Sequence, residues 1–413
     1  MFDEVERDVG LIVLPDWGAV VPVSSLGWTV VDPEGEEVEP VRRFLLDFVA
    51  RGNRIRSVRS YAYDLLRWWR WLVAIDVPWN QATPAEVRDL VLWLQQVKKP
   101  IAAHRTLSAA TAGQINPITR KQHLGDQYSP AMIQHSNAVL RSFYDYWIER
   151  GDGPLINPVQ LDRRNKRPHS HHNPLDPFRA EGKIRYNPKI PKRKPRAIPD
   201  DCWAELFGSM GSNRDRAMVA VAISNGARAA ELLGVCGVDL DWGDQPVRVV
   251  RKGTGAEQWL PVSPEAFVWI RLYLNEFPAP PDLNLPLWWT LRRRNHGQGL
   301  ARQPVNYETL RAVLRRANKL LGTNWTMHDL RHTAALRMAQ DESLSLKDVQ
   351  TILGHQHLST TADVYLVEDE AQVMRRVSKH LADRRSEPRA SSRPLGVGWD
   401  EADLKVLFGG TDQ

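Results

Sequence analysis

Apolar positions in the first part of the chain recur at spacings of three and four residues, the period of amphipathic helices. Val41, Phe44, Leu45, Phe48 and Val49 form one such run, and Gly52 stops it. A second run carries Tyr61, Leu65, Trp68 and Leu72, with Ser57 as its expected cap. Thr83-Pro84-Ala85-Glu86 has the form of a capping box with proline at the first helical position, followed by Val87, Leu90, Val91 and Leu94. Ser129-Pro130 opens a fourth helix that runs to about Glu149 and buries Ile133, Leu140, Phe143, Tyr144 and Trp147. The pattern predicts a small helical bundle. Ahead of it, Leu11 to Leu14 and Trp28 to Val31 are short β-prone pieces broken by Pro and Gly, in which no domain is read. Pro100 to Tyr128 is polar and rich in turn residues, a mobile excursion between the third and fourth helices.

No apolar period survives from Gly151 to Pro199, so that stretch reads as a linker. Helical patterns resume at Asp200 to Met210, Asp215 to Ser224, Ala229 to Leu233, Pro264 to Asn275, Tyr307 to Leu321, His328 to Ala339, Leu346 to Leu353 and Thr360 to Leu366. Arg248 to Lys252 and Gln258 to Val262 alternate around Gly253-Thr254-Gly255, the signature of a two-stranded ribbon. There is no internal repeat and no βαβ series. Ser386 to Val397 is expected to be disordered, and Trp399 to Phe408 is a short amphipathic piece suited to docking on another surface. A chain of 413 residues exceeds one ordinary core and suits two domains. The expected division is an extension at 1–38, a helical bundle at 39–160, a linker at 161–197, a mixed second domain at 198–384 and a tail at 385–413.

Composition narrows the class. With 42% hydrophobic and 25% charged residues and a mean hydropathy of -0.42, the chain is globular and no apolar stretch is long enough to span a membrane. The start, Met1 to Glu6, is acidic where a secretory signal would be basic, so a cytoplasmic location is expected. Cys202 and Cys236 make no disulfide framework and lack the neighbours of a zinc site, and no other metal or cofactor site is read. Net charge is +6 with a pI near 9.3, and its distribution is informative. Between Arg163 and Arg196 stand twelve lysines and arginines against Asp176 and Glu181, an electrostatic strip suited to phosphates. His169, His171 and His172 lie there without acidic or thiol partners and read as solvated loop. Of the 16 tryptophans, Trp68, Trp69, Trp71 and Trp93 fall within helical periods and are expected in the core.

Within the second domain, Thr326 is placed to cap the helix beginning at His328, with Asp329 as the acidic half of a capping box. His328 and Arg331, three apart, share a face near a helix N-terminus, an arrangement that favours an anion. Arg228 follows Asn225-Gly226 at a turn, where a guanidinium either forks two phosphate oxygens or pairs with Glu231. Lys252 occupies the ribbon tip beside two glycines, as a solubilising or a reactive amine. Gly354 ends the Leu346 to Leu353 run as a C-terminal glycine, and His355-Gln356-His357 forms a tight loop before Ser359 caps the next helix. Tyr365, in that helix, is either a core aromatic or a phenolic nucleophile.

Taken together, Arg228, Lys252, His328, Arg331, His355 and Tyr365 resemble the catalytic set of the tyrosine recombinases, also called phage integrases. The strings that carry the resemblance are Asn225 to Leu232, Arg251-Lys252-Gly253-Thr254, His328-Asp329-Leu330-Arg331-His332-Thr333, and Leu353-Gly354-His355 through Tyr365. The resemblance implies a mainly α fold with a small β-hairpin or sheet, made of a helical core-binding domain and an α+β catalytic domain. It implies a site-specific recombinase, an integrase or transposase of a mobile element, that breaks and rejoins double-stranded DNA through a 3′-phosphotyrosine without metal or ATP. A homotetramer on two duplexes, with accessory recombination proteins, goes with it. In that chemistry Arg228 and Arg331, helped by His328 and His355, neutralise the pentacoordinate phosphate. Tyr365 attacks, His328 is the candidate base and Lys252 the candidate acid for the 5′-oxygen. His332 reads as a packed histidine behind Arg331, and Glu231 as a residue that orients Arg228 or caps its helix. A type IB topoisomerase-like strand transferase or a non-catalytic DNA-binding regulator are the alternatives.

Overall fold

The computed structural model describes residues 7–24, 27–100, 110–162, 182–191, 197–251, 253–278, 281–295, 299–354 and 377–378. The chain divides into two compact units, Met1–Arg193 and Lys194–Gln413.

In the first unit the described helices are α1 (Glu39–Ala50), α2 (Ile55–Ala74), α3 (Pro84–Gln96) and α4 (Pro130–Ile148). The expected capping box of α3 is present: the Thr83 N–H and hydroxyl donate to Glu86 at 2.8 and 2.6 Å. Ser129 caps α4, its hydroxyl accepting from Met132 N at 3.3 Å. Helix α2 begins three residues earlier than expected, with Arg54 in place of Ser57 at its cap. Ser57 N already donates to the Arg54 carbonyl at 2.8 Å, so Ser57 lies inside the first turn rather than capping it. The four tryptophans assigned to the core are there, Trp68 and Trp71 with no exposure at all. Phe143 of α4 meets Phe44 of α1 and Trp69 of α2 edge-on at 5.5 Å each, the geometry that aromatic quadrupoles favour. A buried polar thread runs through this apolar mass: the Trp68 indole N–H donates to the Tyr144 hydroxyl (2.8 Å), which donates to the Trp79 carbonyl (2.9 Å).

The described residues ahead of α1 are folded onto the bundle. Strands β1 (Ala19–Val21) and β2 (Thr29–Val31) pair antiparallel, Ala19 opposite Val31, and Val30 is fully buried in the helical core. Leu11 to Leu14 is not a strand. Asp8 accepts from Gly10 N at 3.1 Å and starts a single 3₁₀ turn at Val9–Leu11, local side-chain bonding that competes with extension. In the excursion after α3, residues 110–128 contain a turn in which Asn116 Oδ1 accepts from Ile118 N (3.0 Å) and Thr119 N (2.8 Å). Part of the stretch read as linker is also docked. Strand β3 (Leu161–Asp162) pairs with β4 (Lys183–Ile184), and α4 holds the following segment through Asn137 to Asn187 (2.8 Å) and Gln134 to the Pro188 carbonyl (2.8 Å). The rest of the basic strip, with His169, His171 and His172, lies outside the described residues.

The second unit contains α5 (Asp200–Gly208), α6 (Asn213–Asn225), α7 (Ala229–Leu233), strands β5 (Pro246–Val250) and β6 (Glu257–Pro261), α8 (Pro264–Leu274), short strands β7 (Arg294–Asn295) and β8 (Leu300–Ala301), α9 (Tyr307–Leu321), α10 (Met327–Gln340) and α11 (Leu346–Leu353). The expected helix at Thr360 to Leu366 and the tail from Ser386 to Phe408 lie outside the described residues. Helix α6 is buried nearly all round because Ala217, Val219, Ala220, Val221 and Ala222 are small or β-branched, which lets α8 and α10 pack closely on it. The ribbon is antiparallel, with Val249 opposite Gln258. The fold is therefore mainly α with small two-stranded sheets, in two units. No described helix is long and apolar enough to cross a membrane.

The thread through Tyr144 yields a stability prediction. Tyr144→Phe leaves the Trp68 N–H and the Trp79 carbonyl without their shared hydroxyl, a loss of about 1–3 kcal/mol. Urea unfolding followed by tryptophan fluorescence should show the first unit destabilised by that amount, while Tyr63→Phe, at an exposed ring, should leave the curve in place.

Candidate active site

The site is organised around the end of α11. Its last carbonyls have no partner within the helix, and they carry the negative end of the helix dipole. Two of the expected residues converge there. Arg331 of α10 is buried and donates from Nη2 to the Leu353 carbonyl and from Nη1 to the Gly226 carbonyl, each at 2.6 Å. Arg228, at the N-cap of α7, donates from Nη1 to the same Leu353 carbonyl at 3.5 Å. Gly226 makes this meeting possible. It ends α6 at φ +67°, and a Cβ there would stand 2.9 Å from a Leu353 methyl and 3.4 Å from the Arg331 stem.

Of the two readings for Arg228, the ion pair is present: Nη1 to Glu231 Oε1 at 2.9 Å, with the Arg228 side chain still 30% exposed. Glu231 fills both roles anticipated for it, since Oε2 also accepts the Arg228 backbone N–H at 2.9 Å. Its side chain is wholly buried. Burial pushes the carboxyl up, but the bonds from Arg228 and the charges of Arg251 and Arg228 outweigh it and hold Glu231 below the usual carboxylate range.

Arg251, which the sequence reading names only as a flank of Lys252, is the third guanidinium of this cluster. Its guanidinium donates to Glu231 Oε2 (3.1 Å), to Gln258 Oε1 (2.8 Å) and to the Ile352 carbonyl, and the side chain is 6% exposed. Burial lowers its pKa and Glu231 opposes that, and a guanidinium starts high enough to stay charged. The signal was available in the alternation of β5: Val247 and Val249 face the core, and Arg251 continues the same register two residues on.

On α10 the capping box forms as expected, Thr326 N and hydroxyl donating to Asp329 at 2.7 and 2.6 Å. His328 and Arg331, expected to point the same way, part company. Arg331 turns under to the carbonyls, whereas His328 is exposed and places Nε2 at 2.8 Å from Nε2 of His332, rings 4.1 Å apart. His332 is thus a half-exposed neighbour of His328, not a packed core histidine, because residues four apart stack along one helix face. The buried position belongs to Thr333, which donates to the Asp329 carbonyl (2.7 Å) and accepts from Ile198 N (2.8 Å). Lys252, His355 and Tyr365 lie outside the described residues. Their chain neighbours Arg251 and Gly354 are within them, and Gly354 ends α11 at φ +62° as expected.

Comparison with known proteins places this geometry. Residues 203–372 match the model of the phage integrase family. Tyrosine recombinase XerC of Chromobacterium violaceum is 31% identical over 328 residues, 78% of this chain and 88% of XerC. Transposase A from transposon Tn554 of Staphylococcus aureus is 21% identical over 86% of this chain and 94% of the transposase. The chain spans 58% of tyrosine recombinase XerA of Pyrococcus horikoshii, at 28% identity. Its fold resembles that in the crystal structure of a lambda integrase dimer bound to a COC′ core site, with a TM-score of 0.51 and 15% identity over 79% of this chain and 93% of the integrase. The XerC likeness reaches over both units and the family match covers the arginine cluster, and so the chain belongs to the phage integrase family, the tyrosine recombinases that cleave and rejoin DNA.

Proposed function

We propose that the chain is a site-specific recombinase of a mobile element, acting as its integrase or transposase through a 3′-phosphotyrosine. The observation that carries this reading is the convergence of Arg228 and Arg331 on the Leu353 carbonyl, two residues before His355 in the chain. The likeness to the Tn554 transposase over most of both chains supports the mobile-element assignment.

In the proposed reaction Tyr365 displaces the 5′-oxygen of a scissile phosphodiester. The phosphorus gains a bond to the phenolic oxygen and loses its bond to O5′. A phenol with an ordinary pKa near 10 needs a base or strongly positive surroundings to attack at neutral pH, and His328 is the candidate base. Charge that builds on the non-bridging oxygens is met by Arg228 and Arg331, fixed donors, with His355 as the further candidate donor. Lys252 delivers the proton to O5′. The phosphotyrosine keeps the bond energy, so a 5′-hydroxyl from another strand reverses the step without ATP. The proposed partner is double-stranded DNA carrying the recombination sites, gripped by the basic strip through salt-sensitive phosphate contacts. Two duplexes are held in a homotetramer with any accessory recombination proteins, in the cytoplasm and on the nucleoid.

Incubation with nicked candidate attachment-site DNA, followed by a denaturing gel, should reveal a covalent protein–DNA adduct that is absent with Tyr365→Phe and undiminished by EDTA. An adduct surviving Tyr365→Phe would end the assignment. Arg331→Lys keeps the charge but loses the planar fork, and adduct formation should slow by about 10²–10³-fold, the cost of one transition-state donor. Cleavage by that variant at the wild-type rate would remove Arg331 from the chemistry.

A further inference from the structure

Three consecutive carbonyls close α11, and each is taken by a side chain from elsewhere in the second unit. Gln258 Nε2 donates to Thr351 O at 3.0 Å, Arg251 Nη2 to Ile352 O, and Arg331 and Arg228 to Leu353 O. The first two donors belong to the ribbon and are joined to each other, Arg251 Nε to Gln258 Oε1 at 2.8 Å. Arg251 also reaches Glu231, which holds Arg228. At the other end, a Cβ on Gly354 would stand 2.9 Å from Arg251 Nε and 3.0 Å from Cζ, so the Gly354 backbone lies directly against this guanidinium. Arg251 precedes Lys252 in the chain and Gly354 precedes His355. The residues flanking two catalytic candidates, about a hundred positions apart, are thus packed on each other.

We infer that Arg251 is a positioning residue: with Gln258 it fastens the ribbon to the α11 terminus, and the step it serves is the one that needs Lys252, the next residue in the chain. The inference rests on the recombinase reading. Arg251 takes no part in bond making. Its guanidinium is turned inward, and its effect passes through the backbone to the next residue. A buried, fully engaged arginine is suited to this, because its planar fork holds several acceptors in one fixed geometry where a lysine would hold them loosely.

The step that depends on Lys252 is protonation of the leaving 5′-oxygen, so the test uses a leaving group that needs no proton. A nicked duplex with sulfur bridging phosphorus and C5′ loses its P–S bond to give a thiolate, stable near neutrality since thiol pKa values lie near 8.5. Adduct formation by the full chain is measured on oxygen- and sulfur-bridged substrates for wild type, Arg251→Lys and Gln258→Leu, with thermal unfolding of each. Both variants are expected to cleave the oxygen substrate about 100-fold more slowly, the order of effect of a small misplacement, and to cleave the sulfur substrate close to the wild-type rate. Equal losses on both substrates would assign Arg251 a merely structural role and overturn the inference. So would wild-type cleavage of the oxygen substrate by both variants. Gln258→Leu cuts the same tie at a half-exposed position, so it decides the matter should Arg251→Lys fail to fold. Wild-type protein forming no adduct on either substrate would bring down the recombinase reading itself, and the inference with it.

Discussion

The second unit depends on neutralising one carboxylate and one helix end in a space that water barely reaches. Glu231 is wholly buried, and an isolated buried carboxylate is unfavourable enough that it would take up a proton or unfold its surroundings. Arg228 and Arg251 approach it from two different segments, and the same two arginines, with Arg331, supply donors to the α11 carbonyls. Removing any one partner leaves charge or polar atoms stranded, so the network fixes its members together. Positive charge is collected at this point because the protein itself requires it there, and the exposed part of Arg228 opens the cluster towards an anion from outside.

That arrangement clarifies how a scaffold can hold several guanidinium groups close together without mutual repulsion scattering them. Each has an anionic or carbonyl acceptor assigned by backbone geometry: the left-handed Gly226 exposes one carbonyl and the left-handed Gly354 ends the helix that supplies the others. Pre-organised donors of this kind need no rearrangement when charge develops on a bound phosphate, which is the physical basis of the proposed catalysis.

Much of this was legible in the chain because it is local. Capping boxes at Thr83 and Thr326, prolines at the first turns of α3 and α4, and Gly354 after a periodic run each involve residues within a few positions of one another, and each formed as read. What escaped was long-range. Nothing near Arg251 announces that its partners are twenty residues back and a hundred forward. A lone arginine continuing a strand's inward register looks like an interruption, not a node. Likewise, the segment after Lys183 has no apolar period because it is held by amide side chains of α4, a kind of docking that periodicity does not detect. The chain order behind Arg331 predicts an interior place for His332, whereas α10 gives that interior slot to Thr333.

The β-hairpin ahead of α1 bears on how small the helical first unit can be made. Val30 is sunk among the helices, the Trp93 indole donates to the Ile12 carbonyl at 2.8 Å, and Arg70 reaches the carbonyls of Trp17 and Gly18. A chain trimmed to start at Glu39 would bare a greasy flank and strand those donors, inviting aggregation. The minimal self-standing version of this half therefore includes the residues that a helix-by-helix survey would discard.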